Sequence, residues 1–390
     1  MRRVLAITSI RSDYDLLSGV YRLLNDDSDI ELKLLVSGAH LASSYGYTVD
    51  MIKSDGFCIL AQLETLIDSD SNSGRLKTAS LLLINSIDVV RNYNPDLIIY
   101  AGDREDVIVG GLLGAFLHIP TLHFFGGDHA SDGHVDNPVR HATSKLSSFH
   151  AVTIDEHRKR LLSIGEEEEN IFVIGNPALD KFLSIKPCDK DIIFNSLQCS
   201  DEFLNGKFAI VIFHAISEEI EVAACYFENI LLALKKSGYK AFVSYPNTDP
   251  GGKTIINVIN KYKEDQNFYF YKNLNREMFL SLYKYSSLII GNSSSGIIES
   301  ASIKIPCINV GNRQFNRANS GNVLFCDGSL ESIISAIVNV NSDVFQEKLH
   351  NIINIYGSGN SCVKAFNLIK NLDLSSYPSK KYDPLFKSIL

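Results

Sequence analysis

The sequence predicts an α/β protein built from two doubly wound parallel sheets, each with helices on both faces. Short apolar segments bounded by turn residues alternate with amphipathic stretches along the whole chain, which is the pattern of repeated βαβ units. The alternation pauses over the mixed, polar residues 181–207 and then resumes. The chain has 390 residues, a length that suits two domains better than one.

The first half contains six predicted strands and three predicted helices. The strands are short, apolar runs: Val4–Thr8, Glu31–Val36, Leu97–Tyr100, Thr121–Phe125, Ala151–Ile154 and Ile171–Ile174. The helices are amphipathic stretches: Leu76–Tyr93, Asp106–Leu117 and Asp155–Ile164. Helices that alternate with strands in this way indicate a parallel sheet.

The second half repeats the pattern. Its predicted strands are Phe208–Phe213, Lys240–Ser244, Phe268–Tyr271, Leu288–Ile290, Cys307–Val310 and Val323–Phe325. Its predicted helices include Val222–Lys236, Arg276–Tyr285 and Leu330–Val340. We therefore expect domains at 1–180 and 181–360, with a C-terminal helix at about 360–380 that packs back on the first domain.

Composition excludes several classes of protein. The net charge is −8, so no general basic field exists to hold nucleic acid or an acidic membrane surface. The seven cysteines are scattered without a CxxC pair, which indicates buried thiols in a reducing compartment. No apolar window is long enough for a membrane span, and the N-terminal apolar run is too short for a signal peptide. We expect a cytoplasmic protein.

Three familiar motifs are absent. The first strand is not followed by GxGxxG, which argues against a nicotinamide cofactor. The sequence has no GxxxxGK[ST] loop of a P-loop NTPase and no GxSxG elbow of an α/β-hydrolase.

Polar residues follow the first strands, where parallel sheets bind ligands. Arg11 and Asp13 lie between the first strand and a helix, and His40 follows the second strand. Asp103 and Arg104 come directly after Leu97–Tyr100, where apolar walls can raise a carboxylate pKa for proton transfer. Each of these residues could instead serve as an ordinary helix-start or loop residue.

The segment Gly126–His141 is dense in titratable groups, with three aspartates, three histidines and one arginine. Its Asp128 and Asp136 suit an acid/base site. A metal centre would use the same residue types, but the spacing fits no standard metal motif, and we expect no metal. Asp136 and Arg140 lie at i, i+4 and could simply form a local ion pair on one helix face.

The segment Leu288–Glu299 is the most informative of the second half. The apolar run Leu288–Ile290 breaks into Gly-Asn-Ser-Ser-Ser-Gly before a helix-like segment. Such a turn directs backbone N–H groups and serine hydroxyls at one point, where an anion fits, and Glu299 could accept the hydroxyls of a ribose. The alternative is an ordinary capped turn. Arg313 follows a strand-ending glycine and could clamp a diphosphate.

Taken in order, these segments resemble one known family. The residues that carry the resemblance are Arg11–Tyr14, Gly102–Arg104, Gly126–Asp128, Asp136–Leu146, His214, Gly291–Glu299 and Asn309–Arg313. They resemble the hydrolysing UDP-N-acetylglucosamine 2-epimerases of sialic-acid and legionaminic-acid synthesis, over about residues 3–372.

The resemblance implies a GT-B fold, which is two Rossmann-like domains with a cleft between them, in a homodimer or homotetramer. It also implies a reaction without a metal or redox cofactor. The C2 proton is removed and the nucleotide diphosphate leaves C1, giving a glycal. Water then adds and releases the free 2-epimer sugar, of the N-acetylmannosamine type.

The resemblance also assigns roles to single residues. Asp103 and Asp136 resemble the catalytic carboxylates, and His214 resembles a diphosphate contact that assists the leaving group. We add Asp128 as the third acid/base candidate. The expected substrate contacts are Arg11, Asp13, His40, Arg104, Arg140, Asn247, Leu274, Ser293, Ser294, Glu299 and Arg313.

One departure bears on the substrate. Some members carry a glutamate immediately before the glycine pair, where this chain has Phe125. Members also tend to carry a glutamate after the pair, where this chain has the shorter Asp128, and the loop from Gly127 to Asp136 is about two residues longer. The identity of the third acid/base residue therefore stays open. A phenylalanine near C4–C6 of the sugar suits a deoxy, less polar substrate such as a 2,4-diacetamido-trideoxy sugar, linked to either uridine or guanosine diphosphate.

Three other interpretations compete. A non-hydrolysing epimerase would return the nucleotide-bound 2-epimer, but that branch differs in the Asp136–Leu146 segment. A GT-B glycosyltransferase would need an acceptor site and would not need several carboxylates around C2. A non-catalytic nucleotide-sugar sensor would not need Asp103, Asp136 and His214 together.

Overall fold

The computed structural model describes residues 1–69, 72–129, 135–197, 199, 203, 206–246, 251–272, 274, 276–375 and 380. The chain divides into two compact units. The first unit is formed by the described residues of Met1–His129, His134–Lys181 and Tyr356–Leu390, and the second by those of Phe182–Ile355. No helix in these ranges has the length and apolar character needed to cross a membrane.

The first unit contains a seven-stranded parallel sheet with strand order β3-β2-β1-β4-β5-β6-β7. Its strands are β1 (Arg2–Thr8), β2 (Ile30–Ser37), β3 (Ile59–Leu63), β4 (Leu97–Ala101), β5 (Thr121–Phe124), β6 (Phe149–Val152) and β7 (Ile171–Val173). The central strand β4 is buried along its whole length, as expected for a strand covered by helices on both faces. The direction of strand order reverses at β1, which places the loops after β1 and β4 side by side.

The helices associated with this sheet are α1 (Arg11–Asn25), α2 (Val49–Ser54), α3 (Asn72–Tyr93), α4 (Glu105–Leu117), α5 (Asp136–Leu146) and α6 (Asp155–Ser163). Helix α7 (Pro177–Ser184) follows β7, and α8 (Lys190–Ser196) lies at the start of the second unit. Two apolar clusters cover the sheet, one centred on α1 and the other on α3 and α4.

The second unit contains a six-stranded parallel sheet with strand order β10-β9-β8-β11-β12-β13. Its strands are β8 (Phe208–Ile212), β9 (Lys240–Ser244), β10 (Phe268–Tyr271), β11 (Leu288–Gly291), β12 (Cys307–Val310) and β13 (Val323–Cys326). Its helices are α9 (Ala223–Lys236), α10 (Gly252–Tyr262), α11 (Arg276–Tyr285), α12 (Ser294–Ile298), α13 (Leu330–Val340) and α14 (Asp343–His350). Strand β11 pairs with both β8 and β12, so the chain segments after these three strands meet.

The last helix, α15 (Ser361–Asn371), belongs to the first unit. Its buried Ala365 and Ile369 join the apolar cluster around α1. The Arg2 guanidinium donates to the Leu372 carbonyl at 2.8 Å, just beyond the helix end. The first strand and the segment just after the last helix are therefore fixed to each other within one unit.

Several elements differ from the sequence predictions. Strand β3 was missed because its residues are half-buried or exposed at the sheet edge, so it shows no apolar run. The strand predicted at Ala151–Ile154 begins and ends two residues earlier, at Phe149–Val152. Its start includes a buried polar residue, His150, whose Nε2 donates to the Glu166 carboxylate at 2.8 Å, and this polar residue disguises a core position. Helices α2, α7, α8, α10 and α14 were also not predicted, and α1 begins at Arg11, so Arg11 and Asp13 lie in its first turn and not in a loop before it.

Candidate active site

In the first unit, a charged pair joins the loops after β4 and β5. Arg140 projects from α5 and donates a hydrogen bond to the Asp103 carboxylate. The same guanidinium donates to the backbone carbonyl of Asp128 at 3.0 Å. Only 11% of the Arg140 side chain and 22% of the Asp103 side chain are exposed, so solvent screens this pair weakly. One arginine thus fixes the loops after β4 and β5 relative to each other.

Asp128 lies in a second set of contacts at the same sheet edge. Its carboxylate is 3.3 Å from Nε2 of His157 and accepts the His129 backbone N–H at 2.9 Å. Arg160 donates to the carbonyl of Gly127, one residue earlier. Because α6 supplies both His157 and Arg160, this helix fixes the Asp128 loop from one side while Arg140 on α5 fixes it from the other.

The backbone between β5 and Asp128 is unusual. Phe125 has φ of 65°, a left-handed conformation that costs a residue other than glycine roughly 1–2 kcal/mol. Gly127 also has positive φ, and a Cβ atom there would lie 2.3 Å from the His157 carbonyl oxygen. The chain therefore turns sharply at Phe125, and only glycine fits where the loop passes α6.

Asp136 begins α5 but does not pair with Arg140, the i, i+4 partner that helix geometry offers. Its carboxylate is instead 3.7 Å from Arg75 of α3, which also donates to Glu105 at 2.8 Å. Burial raises the pKa of Glu105, but the Arg75 hydrogen bond and the Arg104 charge outweigh burial and leave this pKa below its ordinary value. The local ion pair considered from sequence is thus replaced by long-range pairs.

Two buried aspartates, Asp13 and Asp106, lie near Arg104. Asp13 and Asp106 are 9% and 3% exposed. Burial raises the pKa of Asp106 to about 6, although the Arg104 charge opposes this effect. Burial, reinforced by the Asp106 charge, raises the pKa of Asp13 well above its ordinary value. Burial therefore favours the protonated form of Asp13, whereas the surrounding carboxylates raise the pKa of Arg104 although burial opposes this effect.

Two further predicted contacts of the first unit have different surroundings. His40 is fully buried, and its ring nitrogens lie 3.0 Å from the Thr8 hydroxyl and 2.7 Å from the Thr48 hydroxyl. Burial lowers its pKa to about 4, so the ring is neutral. Arg11 is exposed and lies 3.5 Å from Asp15. His40 thus has both ring nitrogens occupied within the fold, whereas Arg11 faces solvent.

In the second unit, one buried residue, Asn292, connects two of the predicted residues through its side chain and its backbone carbonyl. The Asn292 amide accepts the His214 backbone N–H at 2.8 Å and donates to the His214 carbonyl at 2.7 Å. The carbonyl of Asn292 accepts a hydrogen bond from Arg313 at 3.0 Å. A carboxylate from the segment after β8, Glu219, accepts the N–H of Asn312 at 2.9 Å and so holds the loop that carries Arg313.

The serine turn follows directly. Ser293 caps α12, and its hydroxyl accepts the Ser295 backbone N–H at 3.3 Å. Ser294 is the first residue of the helix, and Glu299 ends it with its carboxylate bonded to the Ser295 hydroxyl. The structure therefore brings His214, Ser293, Ser294 and Arg313 to one end of the second sheet, around Asn292.

Two predicted substrate contacts have little structural context. Asn247 lies outside the described residues. Leu274 is described and half-buried, but the residues on each side of it are not described. Over the described ranges, no group of three or more histidine, cysteine, aspartate or glutamate residues has an arrangement suited to a metal ion.

Sequence reasoning missed four residues that shape these sites. His157 and Arg160 lie in an ordinary amphipathic helix, and no local pattern connects them to Asp128. Asn292 was visible inside the serine-rich turn, where a polar amide directly after a buried strand is a usable signal. Glu219 gave no signal, because its partner Asn312 is 93 residues away.

Comparison with known proteins identifies the architecture and its relatives. A family model described as UDP-N-acetylglucosamine 2-epimerase matches residues 22–370. The UDP-N,N′-diacetylbacillosamine 2-epimerase (hydrolyzing) of Legionella pneumophila is 32% identical over 376 residues, covering 96% of this chain and 97% of the relative. The GDP/UDP-N,N′-diacetylbacillosamine 2-epimerase (hydrolyzing) of Campylobacter jejuni is 28% identical over 349 residues, covering 89% of each chain.

A solved structure supports the fold independently. The crystal structure of UDP-GlcNAc 2-epimerase from Neisseria meningitidis bound to UDP-GlcNAc matches with a TM-score of 0.76 at 18% identity, over 95% of this chain and all of that chain. This likeness confirms the predicted GT-B fold class.

Proposed function

The chain belongs to the UDP-N-acetylglucosamine 2-epimerase family and is a hydrolysing nucleotide-sugar 2-epimerase, and from this premise we propose that its substrate is UDP-N,N′-diacetylbacillosamine. This sugar is a 2,4-diacetamido-trideoxy glucose. The observation that carries the proposal is the 32% identity over nearly the full length to the Legionella enzyme. The apolar Phe125 at the turn after β5 supports a sugar with a methyl group at C6 in place of a hydroxymethyl group.

We assign the C2 chemistry to the carboxylates of the first unit. A carboxylate removes the weakly acidic C2 proton, and the C–H electron pair forms the C1=C2 bond while the C1–O bond breaks toward the diphosphate. Water then adds its hydroxyl to C1, and a second acid delivers a proton to the opposite face of C2. Asp103, Asp128 and Asp136 are the candidates for these proton transfers. The contacts from Arg140 and His157 give Asp103 and Asp128 fixed orientations, which proton transfer requires.

We assign the nucleotide diphosphate to the second unit. His214, Ser293, Ser294 and Arg313 offer hydrogen-bond donors and charge for departing phosphate oxygens. Glu299 is the proposed ribose contact. Asn247 and Leu274 remain proposed contacts on the nucleotide side, as Arg11, Arg104 and Arg140 do on the sugar-phosphate side. For His40 and Asp13 we propose a supporting role, because both side chains are buried within the fold.

The product would be the free 2-epimer sugar of nonulosonic acid biosynthesis of the legionaminic type. The enzyme would act in the cytoplasm, where nucleotide sugars are made and where its seven free cysteines stay reduced.

We also propose that the enzyme is a homodimer or homotetramer. Helix α3 exposes Leu76 (71%) and Ile84 (68%) two turns apart on one face, and Phe116 near the end of α4 is 79% exposed. Large apolar side chains exposed on one helix face are typical of subunit interfaces. Light scattering of wild type and Ile84→Asp tests this proposal, and a wild-type monomer would contradict it.

The deciding experiment is a reaction in deuterated water followed by proton NMR. UDP-N,N′-diacetylbacillosamine, its GDP analogue and UDP-N-acetylglucosamine are compared at equal concentration. We expect the first to give UDP and a free 2-epimer deuterated at C2. Equal or better turnover of UDP-N-acetylglucosamine would remove the diacetamido proposal, and a nucleotide-bound 2-epimer would indicate the non-hydrolysing reaction.

A further inference from the structure

A buried tyrosine of the second unit contacts the serine turn. Tyr283 lies on α11 and is fully buried, and its hydroxyl is 2.9 Å from Oγ of Ser295. The Ser295 hydroxyl also bonds to the Glu299 carboxylate. The three side chains therefore form a chain of polar contacts that ends at the proposed ribose contact.

The direction of these hydrogen bonds follows from the protons that are available. A serine hydroxyl has a single proton to donate, and an ionised carboxylate only accepts hydrogen bonds. The Ser295 proton therefore goes to Glu299, and the Tyr283 hydroxyl donates to the Ser295 oxygen. Burial, reinforced by the Glu299 charge, raises the pKa of Tyr283 well above its ordinary value, so the phenol keeps the proton that it donates.

The ring of Tyr283 is fixed by its aromatic neighbours. The Phe182 ring meets it edge-on with 6.0 Å between the ring centres, and the centre of the Phe279 ring is 5.3 Å away. Aromatic pairs at such distances favour a defined ring orientation. The Tyr283 hydroxyl therefore has a fixed position from which it orients Ser295.

Ser295 in turn holds Glu299 at two points. Its backbone carbonyl accepts the Glu299 N–H at 2.9 Å, and its hydroxyl donates to the Glu299 carboxylate. A glutamate side chain held only by its backbone would be distributed over several rotamers. Fixing the carboxylate before the ligand arrives lowers the entropy cost of binding.

The place of Glu299 in the fold suits a ribose next to the diphosphate. Helix α12 lies between its N-cap Ser293, a proposed diphosphate contact, and Glu299 at its C-terminal end. The five residues of this helix span roughly 7.5 Å. That length is comparable with the separation of the phosphate and the ribose hydroxyls within one nucleotide.

We propose that Tyr283 and Ser295 are positioning residues that orient Glu299 toward the ribose hydroxyls and so make the second unit selective for ribonucleotides. This inference rests on the proposed nucleotide site and does not depend on which sugar the nucleotide carries. A purely structural role for the two residues would instead make their substitution weaken all nucleotides equally.

The test compares the binding of UDP and of 2′,3′-dideoxy-UDP, which lacks both ribose hydroxyls, by calorimetry with the full-length protein. Wild type should bind UDP about ten- to hundredfold more tightly, the worth of a hydrogen bond to a charged group. Tyr283→Phe removes only the hydroxyl and should reduce this preference about three- to tenfold by weakening UDP alone. Ser295→Ala should reduce it at least as much. The double variant should match Ser295→Ala, because both changes act on one contact.

Tyr239→Phe is the matched control. Tyr239 is also a buried tyrosine of the second unit, and its hydroxyl donates to the Asn341 side chain at 2.9 Å, outside the serine turn. Urea denaturation should show a similar loss of stability in the two tyrosine variants. Only Tyr283→Phe should change the preference for UDP.

The outcomes separate this inference from the proposed substrate. Equal weakening of both nucleotides, an unchanged preference in Tyr283→Phe, or a reduced preference in Tyr239→Phe would overturn the positioning role. Wild type that binds the two nucleotides equally, or binds neither, would remove the ribose contact and this inference with it. Wild type that prefers UDP but does not convert the diacetamido sugar would contradict the proposed substrate alone.

Discussion

The two units organise their candidate sites by different physical means. In the first unit, Asp103 and Asp128 are held by ionisable side chains, Arg140 and the pair His157 and Arg160. In the second unit, His214 and Arg313 are held through the amide and the carbonyl of one neutral residue, Asn292. Proton transfer requires groups that change charge, whereas binding a diphosphate requires donors that do not. The comparison therefore predicts that the function of the first unit depends on pH. The function of the second unit should depend instead on backbone geometry.

The largest expected effect on activity comes from removing the Asp103 carboxylate of the first unit. Asp103→Asn keeps the size of the side chain and its acceptor for Arg140 but removes the proposed base, and kcat/KM should fall about 10²–10⁴-fold. Initial-rate measurements by NMR check this prediction. Asp88→Asn, at an exposed ion pair with Arg91, is the control and should retain wild-type activity. A fall below tenfold for Asp103→Asn would assign the proton transfers to other groups.

The corresponding change in the second unit is Asn292→Asp. It replaces the donor to the His214 carbonyl by an oxygen, so two acceptors face each other in a buried position, and kcat/KM should fall about 10–100-fold. Asn322→Asp is the matched control. Asn322 is also fully buried in the second unit and donates to Ser300 and Ile305, away from His214. Both variants should lose stability in urea, but only Asn292→Asp should lose activity beyond its loss of folded protein. Equal activity in the two variants would contradict a positioning role.

The importance of backbone geometry can be tested by comparing alanine substitutions at two glycines. Gly127 in the first unit and Gly238 in the second have φ of 75° and 74°. A Cβ atom at Gly238 meets no atom within 4 Å, whereas at Gly127 it would meet the His157 carbonyl at 2.3 Å. Gly238→Ala should therefore lower the free energy of unfolding by about 1–2 kcal/mol, and Gly127→Ala by more. Equal losses in urea denaturation would show that the Gly127 loop moves freely away from α6.

The smallest expected effect is the pH dependence of the buried acids. Because the folded-state pKa of Asp106 is raised to about 6, the native state binds more protons than the unfolded state between roughly pH 4 and pH 6. Stability from this group is therefore present below about pH 4 and lost as pH rises to about 6. The Asp106→Asn variant cannot lose stability in this way. The difference in free energy of unfolding between this variant and wild type should therefore shift in favour of the variant by on the order of 1–2 kcal/mol from pH 4 to pH 7.

Urea denaturation at pH 4 and pH 7 checks this sign. The exposed Asp88→Asn variant is the control and should change little between the two pH values. Relative stability that declines for Asp106→Asn as pH rises would contradict a raised folded-state pKa of Asp106.

Local patterns in the sequence predicted most of the fold. Apolar runs such as Leu97–Tyr100 and Leu288–Ile290 fixed the central strands, because a strand buried on both faces must be apolar at every position. The edge strand Ile59–Leu63 was missed for the same reason, since it faces solvent and carries no such run. The sequence also placed the candidate residues at the ends of strands, and there the structure shows Asp103, Asp128, His214 and Arg313.

The partners of these residues were beyond local reasoning. Arg140 was predicted as a substrate contact, with a local ion pair to Asp136 as the alternative, and the structure pairs it with Asp103, 37 residues earlier. His40 was expected to contact a ligand, but it lies fully buried between Thr8 and Thr48. The partners of Arg140 and His40 both depend on which strands become neighbours in the sheet. The spacing of residues along the chain carries no information on this strand order.

By itself the sequence determined the two-sheet α/β architecture, the strand-end loops and the family, since each follows from periodicity or from contiguous motifs. Only the tertiary structure decided that Asn292 connects His214 with Arg313, that burial raises the pKa of Asp13 and that Arg140 pairs with Asp103. Those properties arise from burial and from contacts between distant segments. Strand order and helix packing determine this burial and these contacts, and neither exists before the chain has folded.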